Sequence, residues 1–386
     1  MAATKFAIRY LMPVLCSFGT SVFAQVLPED RVDVLYHSYD GGGITVQGPS
    51  VLIRKSVLDN VSVSANYYVD SISSASVDVI TILGPSRYTE ERTQTSASVD
   101  YLHDSSIMSF SYTSSVENDY EAATSNFSIA QEMFGGLTTI TMGYKSGSNV
   151  IMSSDKALFK DTANTQGYRL SLSQVLTKDM ILGAAYEIIT DKGYLNNPYR
   201  QVRYIDSSVA RGFTFEDEVY PQSHTSNAFG LNVRYYLPYR ASINGGYRYF
   251  IDSWNISATT ADIGYVHAYE DKWLFDFGYR FYSQNSASFY SDLFDTQAFQ
   301  TFLARDKELS TYTSHSISLG ATYKLGRDEL MIFEKGSVNL LINRFTFNYE
   351  DFRDIPYGQA NGLTAGTEPF YELNATVIRF FLSAWF

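Results

Sequence analysis

The sequence is poor in the residues that most chemistry needs. It has one cysteine, Cys16, in 386 residues, which excludes a disulfide framework and a multi-thiolate metal centre. Its five histidines, His37, His103, His224, His267 and His315, stand neither at i, i+4 spacing nor beside a cysteine, so no imidazole metal site and no cofactor is expected. Basic residues are outnumbered, 29 Lys and Arg against 41 Asp and Glu for a net charge of −12, which argues against a nucleic-acid partner. Long apolar runs are missing too. After the N-terminal segment no stretch approaches the roughly eighteen apolar residues of a membrane-spanning helix, and hydrophobic residues total only 45%.

Aromatic residues are plentiful, at 16% with 31 Tyr and 26 Phe. That mixture suits a membrane barrel, in which half of each strand faces lipid, half faces a polar interior, and Tyr and Trp mark the interfaces. Residues 1–24 carry the parts of a secretory signal: Lys5 and Arg9, an apolar run from Tyr10 to Phe18, then Val22-Phe23-Ala24. Removal after Ala24 takes Cys16 with it and leaves residues 25–386 as one domain, with a mature charge of about −14. Cleavage as a lipoprotein at Cys16 is disfavoured, since Leu15 stands where a small residue is wanted.

Period-2 alternation predicts sixteen strands, at about 32–39, 44–57, 60–72, 92–104, 106–117, 120–134, 137–149, 164–177, 180–193, 225–238, 241–252, 255–268, 273–286, 313–325, 333–349 and 373–386. Gly48-Pro49 interrupts the second, which leaves fourteen as the alternative count. The joints alternate in length. Tight turns such as Leu58-Asp59, Asp104-Ser105, Gly135-Gly136 and Lys178-Asp179 are interleaved with connections that include 73–91, 150–163, 194–224, 287–312 and 350–372. The expected fold is all-β: a transmembrane antiparallel up-and-down barrel with every long loop on one side. In the 291–310 connection, Leu293, Phe294, Ala298, Phe299, Phe302 and Leu303 recur at helical spacing, so a short amphipathic helix is expected there.

Several stretches carry a resemblance: YHSYDGGGITVQGPSVLIRK at 36–55, SVSANYYVDSISSASVDV at 62–79, YLNNPYRQVRY at 194–204, RYYLPYR at 234–240, FLARDKELSTYTSH at 302–315 and the ending FFLSAWF. They resemble a family of Gram-negative outer-membrane barrels catalogued as a domain of unknown function. The resemblance implies the barrel and the bacterial outer membrane, with membrane lipid and the barrel-assembly machinery as partners. It implies no activity. The last strand, with Ile378, Phe380, Leu382 and Ala384 alternating before Phe386, also resembles the terminal signature of such barrels, so Phe386, Phe380 and Leu382 are expected to act in assembly.

The candidate functional residues are few. His224 and Ser226, two apart on one strand face and followed by Asn227, resemble the base and nucleophile of outer-membrane phospholipases. Ala228 replaces that family's glycine, and Pro238 stands about where its orienting asparagine would be. Asp40-Gly41-Gly42-Gly43 suits a tight turn and is followed by no phosphate-binding helix. Arg248, Asp262 and Arg280 are predicted at similar depth on three neighbouring strands, an acid between two bases, with Arg234, Asp276 and Arg379 as further interior residues. The function expected first is a channel or translocation pore for a small solute or chain segment. The rivals are a non-conducting barrel that docks a periplasmic or extracellular protein through its loops, and a lipid hydrolase at the membrane face; no enzyme is expected.

Overall fold

The computed structural model describes residues 26–73, 89–156, 158–330 and 332–386. The predicted leader with Cys16, and most of the 73–91 connection, lie outside the described residues. The strands are β1 (Arg31–Gly41), β2 (Ile44–Leu58), β3 (Val61–Ser73), β4 (Thr89–His103), β5 (Ser106–Val116), β6 (Tyr120–Met133), β7 (Thr138–Met152), β8 (Lys160–Thr177), β9 (Met180–Gly193), β10 (Gln201–Ile205), β11 (Phe213–Asp217), β12 (Ser223–Leu237), β13 (Ala241–Asp252), β14 (Ser257–Tyr269), β15 (Trp273–Gln284), β16 (Tyr312–Leu325), β17 (Lys335–Arg353) and β18 (Phe370–Trp385). Sixteen of them close into one antiparallel barrel, each paired with its neighbours in sequence order, and β1 meets β18 at the seam. β10 and β11 form a separate hairpin inside one loop.

The fourteen-strand alternative is therefore excluded. β2 runs unbroken through Gly48-Pro49 because β1 pairs along it, Tyr36 opposite Pro49, while the ladder to β3 skips those two residues. Gly48 is needed there for room: a Cβ would collide with the Val69 carbonyl oxygen of β3.

Register and exposure together sort every strand into two faces. On β18, Ile378, Phe380 and Leu382 point outward and are exposed, as are their cross-strand partners Val34 and Tyr36. On β12, Phe229, Leu231 and Tyr235 do the same, with Gly230, Asn232 and Arg234 turned inward. The barrel thus wears an apolar, aromatic-rich coat around a polar bore, the arrangement that a bilayer stabilises and water does not. Among the described residues no helix is long and apolar enough to cross a membrane.

One rim carries the short joints 59–60, 104–105, 134–137, 178–179, 238–240, 270–272 and 326–334. The other carries every long one, including 194–222, 285–311 and 354–369. The helix expected over 291–310 is not formed. That stretch is bends and isolated bridges, Phe294 to Tyr204, Leu303 to Val219 and Ala304 to Tyr290, and its only helical turn is the 3-10 turn Lys307–Leu309. The spacing misled because its apolar side chains serve several neighbours. Phe294 and Leu303 bury against Val202, whereas Ala304 and Leu309 bury against Tyr220, Trp254 and Phe289. The α-helix among the described residues, α1 (Ile355–Ala360), lies instead in the last loop, with Asp354 capping its first turn.

Candidate functional site

Two features converge on the bore: a cap made from the long loops, and a band of charge on the wall below it. The cap interlocks the loops 194–222, 285–311 and 354–369. Arg203, fully buried on β10, places Nη1 2.6 Å from Glu368 Oε1 and Nε 2.9 Å from the Asp292 carbonyl oxygen, and its Nη2 also bonds the Asp292 carboxylate. Arg305 reaches Asp292 Oδ1 at 2.8 Å, while Arg353 donates to the Glu368 carbonyl at 2.6 Å. Burial would push the Asp292 carboxyl up, but the Arg305 and Arg203 guanidinium groups outweigh it and hold it below the usual carboxylate range.

The cap is tied to the wall on several sides. Gln284, at the inward-facing end of β15, donates to the carbonyls of Glu308 and Ser310 at 2.9 and 2.8 Å. Across the mouth, the Tyr199 hydroxyl donates to Asp119 Oδ2 at 2.7 Å and accepts from the Ser154 amide, and Lys156 pairs with Asp217 at 2.8 Å. Asp119 belongs to a group with Glu90 and Glu117, buried carboxylates whose oxygens lie within 4.8 Å of one another at the long-loop rim. It contains no imidazole.

Below the cap the bore has two unlike walls. Over β2 to β6 it is lined by small hydroxyls and amides that bond one another, Ser64 to Ser98 at 2.7 Å, Ser96 to Thr113 at 3.0 Å and Asn66 to Ser50 at 3.0 Å. His37 and Tyr68 add a buried stack, with Asp70 2.7 Å from His37 Nε2 and bonded to Arg92. On β7 to β9, β12 to β15 and β18 inward positions carry charge. Asp262 and Arg280 are direct cross-strand partners, and Arg248 is displaced by two residues, opposite Thr260. The Asp262 carboxylate folds over Gly246, where a Cβ would sit 2.6 Å from it. Arg248 instead approaches Glu187 at 3.9 Å, as does Arg169 from the other side.

Of the other interior candidates, Arg379 faces the bore between His37 and Leu341. Arg234 and Asp276 also face inward, three residues from the short-joint ends of β12 and β15. His224 and Ser226 share the inward face of β12, but the imidazole bonds Asp252 at 2.8 Å and nears Asp191 at 3.6 Å, so its nitrogens are directed at carboxylates rather than at the serine. Asn227 turns outward and accepts from the Tyr186 hydroxyl. Phe380 and Leu382 belong to the outer coat. Phe386 follows β18 at the seam, its amide 3.3 Å from the Asp30 carbonyl and Lys55 Nζ 4.9 Å from its ring.

Sequence reasoning missed Lys145, Arg169 and Glu187 on the wall, although counting from the turns at 134–137 and 178–179 puts them at the depth of Arg248. It also missed the cap residues Arg203, Asp292, Arg305 and Glu368, whose partners come from separate loops.

No curated protein matches the sequence. Among solved structures, a bacterial polysaccharide outer-membrane secretin is similar over 94% of this chain and 100% of its own, at 9% identity and a TM-score of 0.51, a likeness of fold. A loop-deletion mutant of OmpT, an outer-membrane protein of Vibrio cholerae, covers 93% of this chain and 99% of its own at 10% identity and a TM-score of 0.42. Residues 79–337 match the family described as protein of unknown function DUF3570, and with the closed sixteen-strand barrel of outer-membrane type now in place, the chain belongs to that family.

Proposed function

We propose that the protein is a gated outer-membrane channel for a small hydrophilic solute, with its short joints in the periplasm and its cap at the outer mouth. The observation that carries this reading is the solvation of the bore: the Arg169 and Arg248 side chains point inward yet stay 42% and 47% exposed. A barrel filled by packing would bury them, because an unburied guanidinium needs water around it. The coat supports the location, since its apolar belt faces lipid.

The test is single-channel recording of the purified barrel in a planar bilayer. Discrete conductance steps, more frequent when the cap is loosened, are expected. A silent bilayer with both the native and the cap-loosened protein would sink the channel. The rival reading, a barrel that docks a protein through its loops, draws on one observation, that the cap spans the mouth and is internally fixed by buried ion pairs. The lipid-hydrolase reading gains nothing from the geometry of His224 and Ser226.

A further inference from the structure

Seven inward-facing charges lie at one level of the barrel. Counted from the short-joint end of its strand, Lys145 is seven residues above Thr138, Arg169 eight above Thr177 and Glu187 seven above Met180. Arg248 is seven above Ala241, Asp262 seven above Tyr269, Arg280 seven above Trp273 and Arg379 six above Trp385. The registers turn all seven toward the bore. Adjacent strands are about 4.8 Å apart, so these residues form a band in two runs, Lys145, Arg169 and Glu187 on β7 to β9 and Arg248, Asp262 and Arg280 on β13 to β15, with Arg379 on β18 beyond β16 and β17. It holds five cations and two carboxylates, in a chain whose net charge is −12.

The excess is built into the wall. The carboxylates are set between the cations, Glu187 between Arg169 and Arg248, and Asp262 beside Arg280. At 3.9 Å neither guanidinium makes a hydrogen bond to Glu187. The Arg248 fork therefore keeps its donors for another acceptor, and that planar fork matches carboxylate and phosphate oxygens. The low-dielectric barrel wall concentrates the field of the band into the bore. Opposite stand hydroxyls and amides of β2 to β6 that offer hydrogen bonds, with Asp70 on that wall held by His37 and Arg92 and Asp100 by the Ser109 hydroxyl.

We infer that the band is an oxyanion-selecting site, and that the solutes the barrel admits carry carboxylate or phosphate groups. This rests on the channel reading for transport, but binding at the band does not. In a KCl gradient the native protein should show a reversal potential on the chloride side. Glu187→Gln, which removes a carboxylate from the band, should move it further that way. The triple variant R248Q/R280Q/R379Q should move it back toward zero or past it. Cation preference in the native protein, or the two variants shifting in the same direction, would overturn the inference.

If no current flows, calorimetry on the full detergent-solubilised barrel decides. Pyrophosphate and citrate are titrated separately, to tell phosphate from carboxylate preference. Saturable binding by either that weakens tenfold or more in the triple variant upholds the site while the channel fails. Absence of binding, or binding the triple variant does not change, rejects it.

Discussion

Arg203 Nη1 lies 2.6 Å from Glu368 Oε1, joining a loop between β9 and β12 to one between β17 and β18. The contact is buried on both sides, so removing one partner strands the other's charge. Arg203→Met should destabilise the cap by about 3–5 kcal/mol. The barrel, held by its own ladders, should keep its melting behaviour. Limited proteolysis is expected to cut within 194–222 in the variant and not in the native protein; equal resistance of both would show that the cap stands without this pair.

The same network makes the cap sensitive to acid. Asp292 and Glu368 are both held below the usual carboxylate range. In each, burial works upward and is outweighed, by Arg305 and Arg203 at Asp292 and by Arg203 at Glu368. Arg353, Asp351 and Tyr290 also face Asp292. Because the folded values lie below the unfolded ones near pH 4, the stabilisation is complete above that pH and is lost as pH falls through the folded values. The emission of Trp254, buried against Tyr220 and Phe289, should stay constant from neutral pH down to about 5. It should shift red in stronger acid, before the barrel's β-sheet signal changes. A red shift on raising the pH instead would contradict the assignment.

The alternation of joints fixes the topology once one loop is placed. A cysteine introduced at Gly362, an exposed position in the last loop, should react with a membrane-impermeant maleimide on intact cells. One at Asp179, in a short joint, should react only after the outer membrane is opened. The opposite pattern would turn the barrel over.

At Gly48 the backbone of β3 crowds β2, and a Cβ there would overlap the Val69 carbonyl oxygen. Gly48→Ala should therefore cost about 2 kcal/mol or more through forced backbone displacement, read as a lower unfolding temperature of the heat-modifiable barrel. Gly43→Ala is the control: a Cβ there meets open space, although φ of 80° is strained, so its loss should be about 1 kcal/mol.

Asp262 opposes Arg280 directly, so Asp262→Asn should remove a counter-charge from a solvated wall. Stability should fall by under about 1 kcal/mol, as for other water-accessible pairs, while anion preference rises. A large loss of stability with unchanged selectivity would make the residue a packing element.

The strands were legible because each obeys one local rule, apolar outward at every second residue, and the lipid side enforces it from Val34 and Tyr36 round to Phe380 and Leu382. Interior charge was legible only where a residue broke a run of small neighbours, as Arg248 does after Gly245 and Gly246. Glu187 escaped notice because Ile188 and Ile189 beside it blur the alternation. The cap was illegible for a different reason. Arg203 and Glu368 gain their meaning from each other, and nothing periodic links loops so far apart in sequence. Helical spacing in 291–310 misled because irregular backbone can bury every third or fourth residue just as a helix does, when partners lie on several sides.

The seam between β1 and β18 has a consequence for assembly in time. Every other neighbouring pair in the barrel is joined by a direct connection, so it can form as a hairpin or loop closure from nearby residues. Pairing Arg31 with Trp385 brings together opposite ends of the described chain and completes the cylinder. A sheet halted before that step has two open edges, each with unpaired amides and carbonyls that a second chain can extend. The step that finishes the fold is thus also the one that ends its exposure to aggregation, and substitutions along His37, Arg379 and their neighbours should lower the yield of folded barrel.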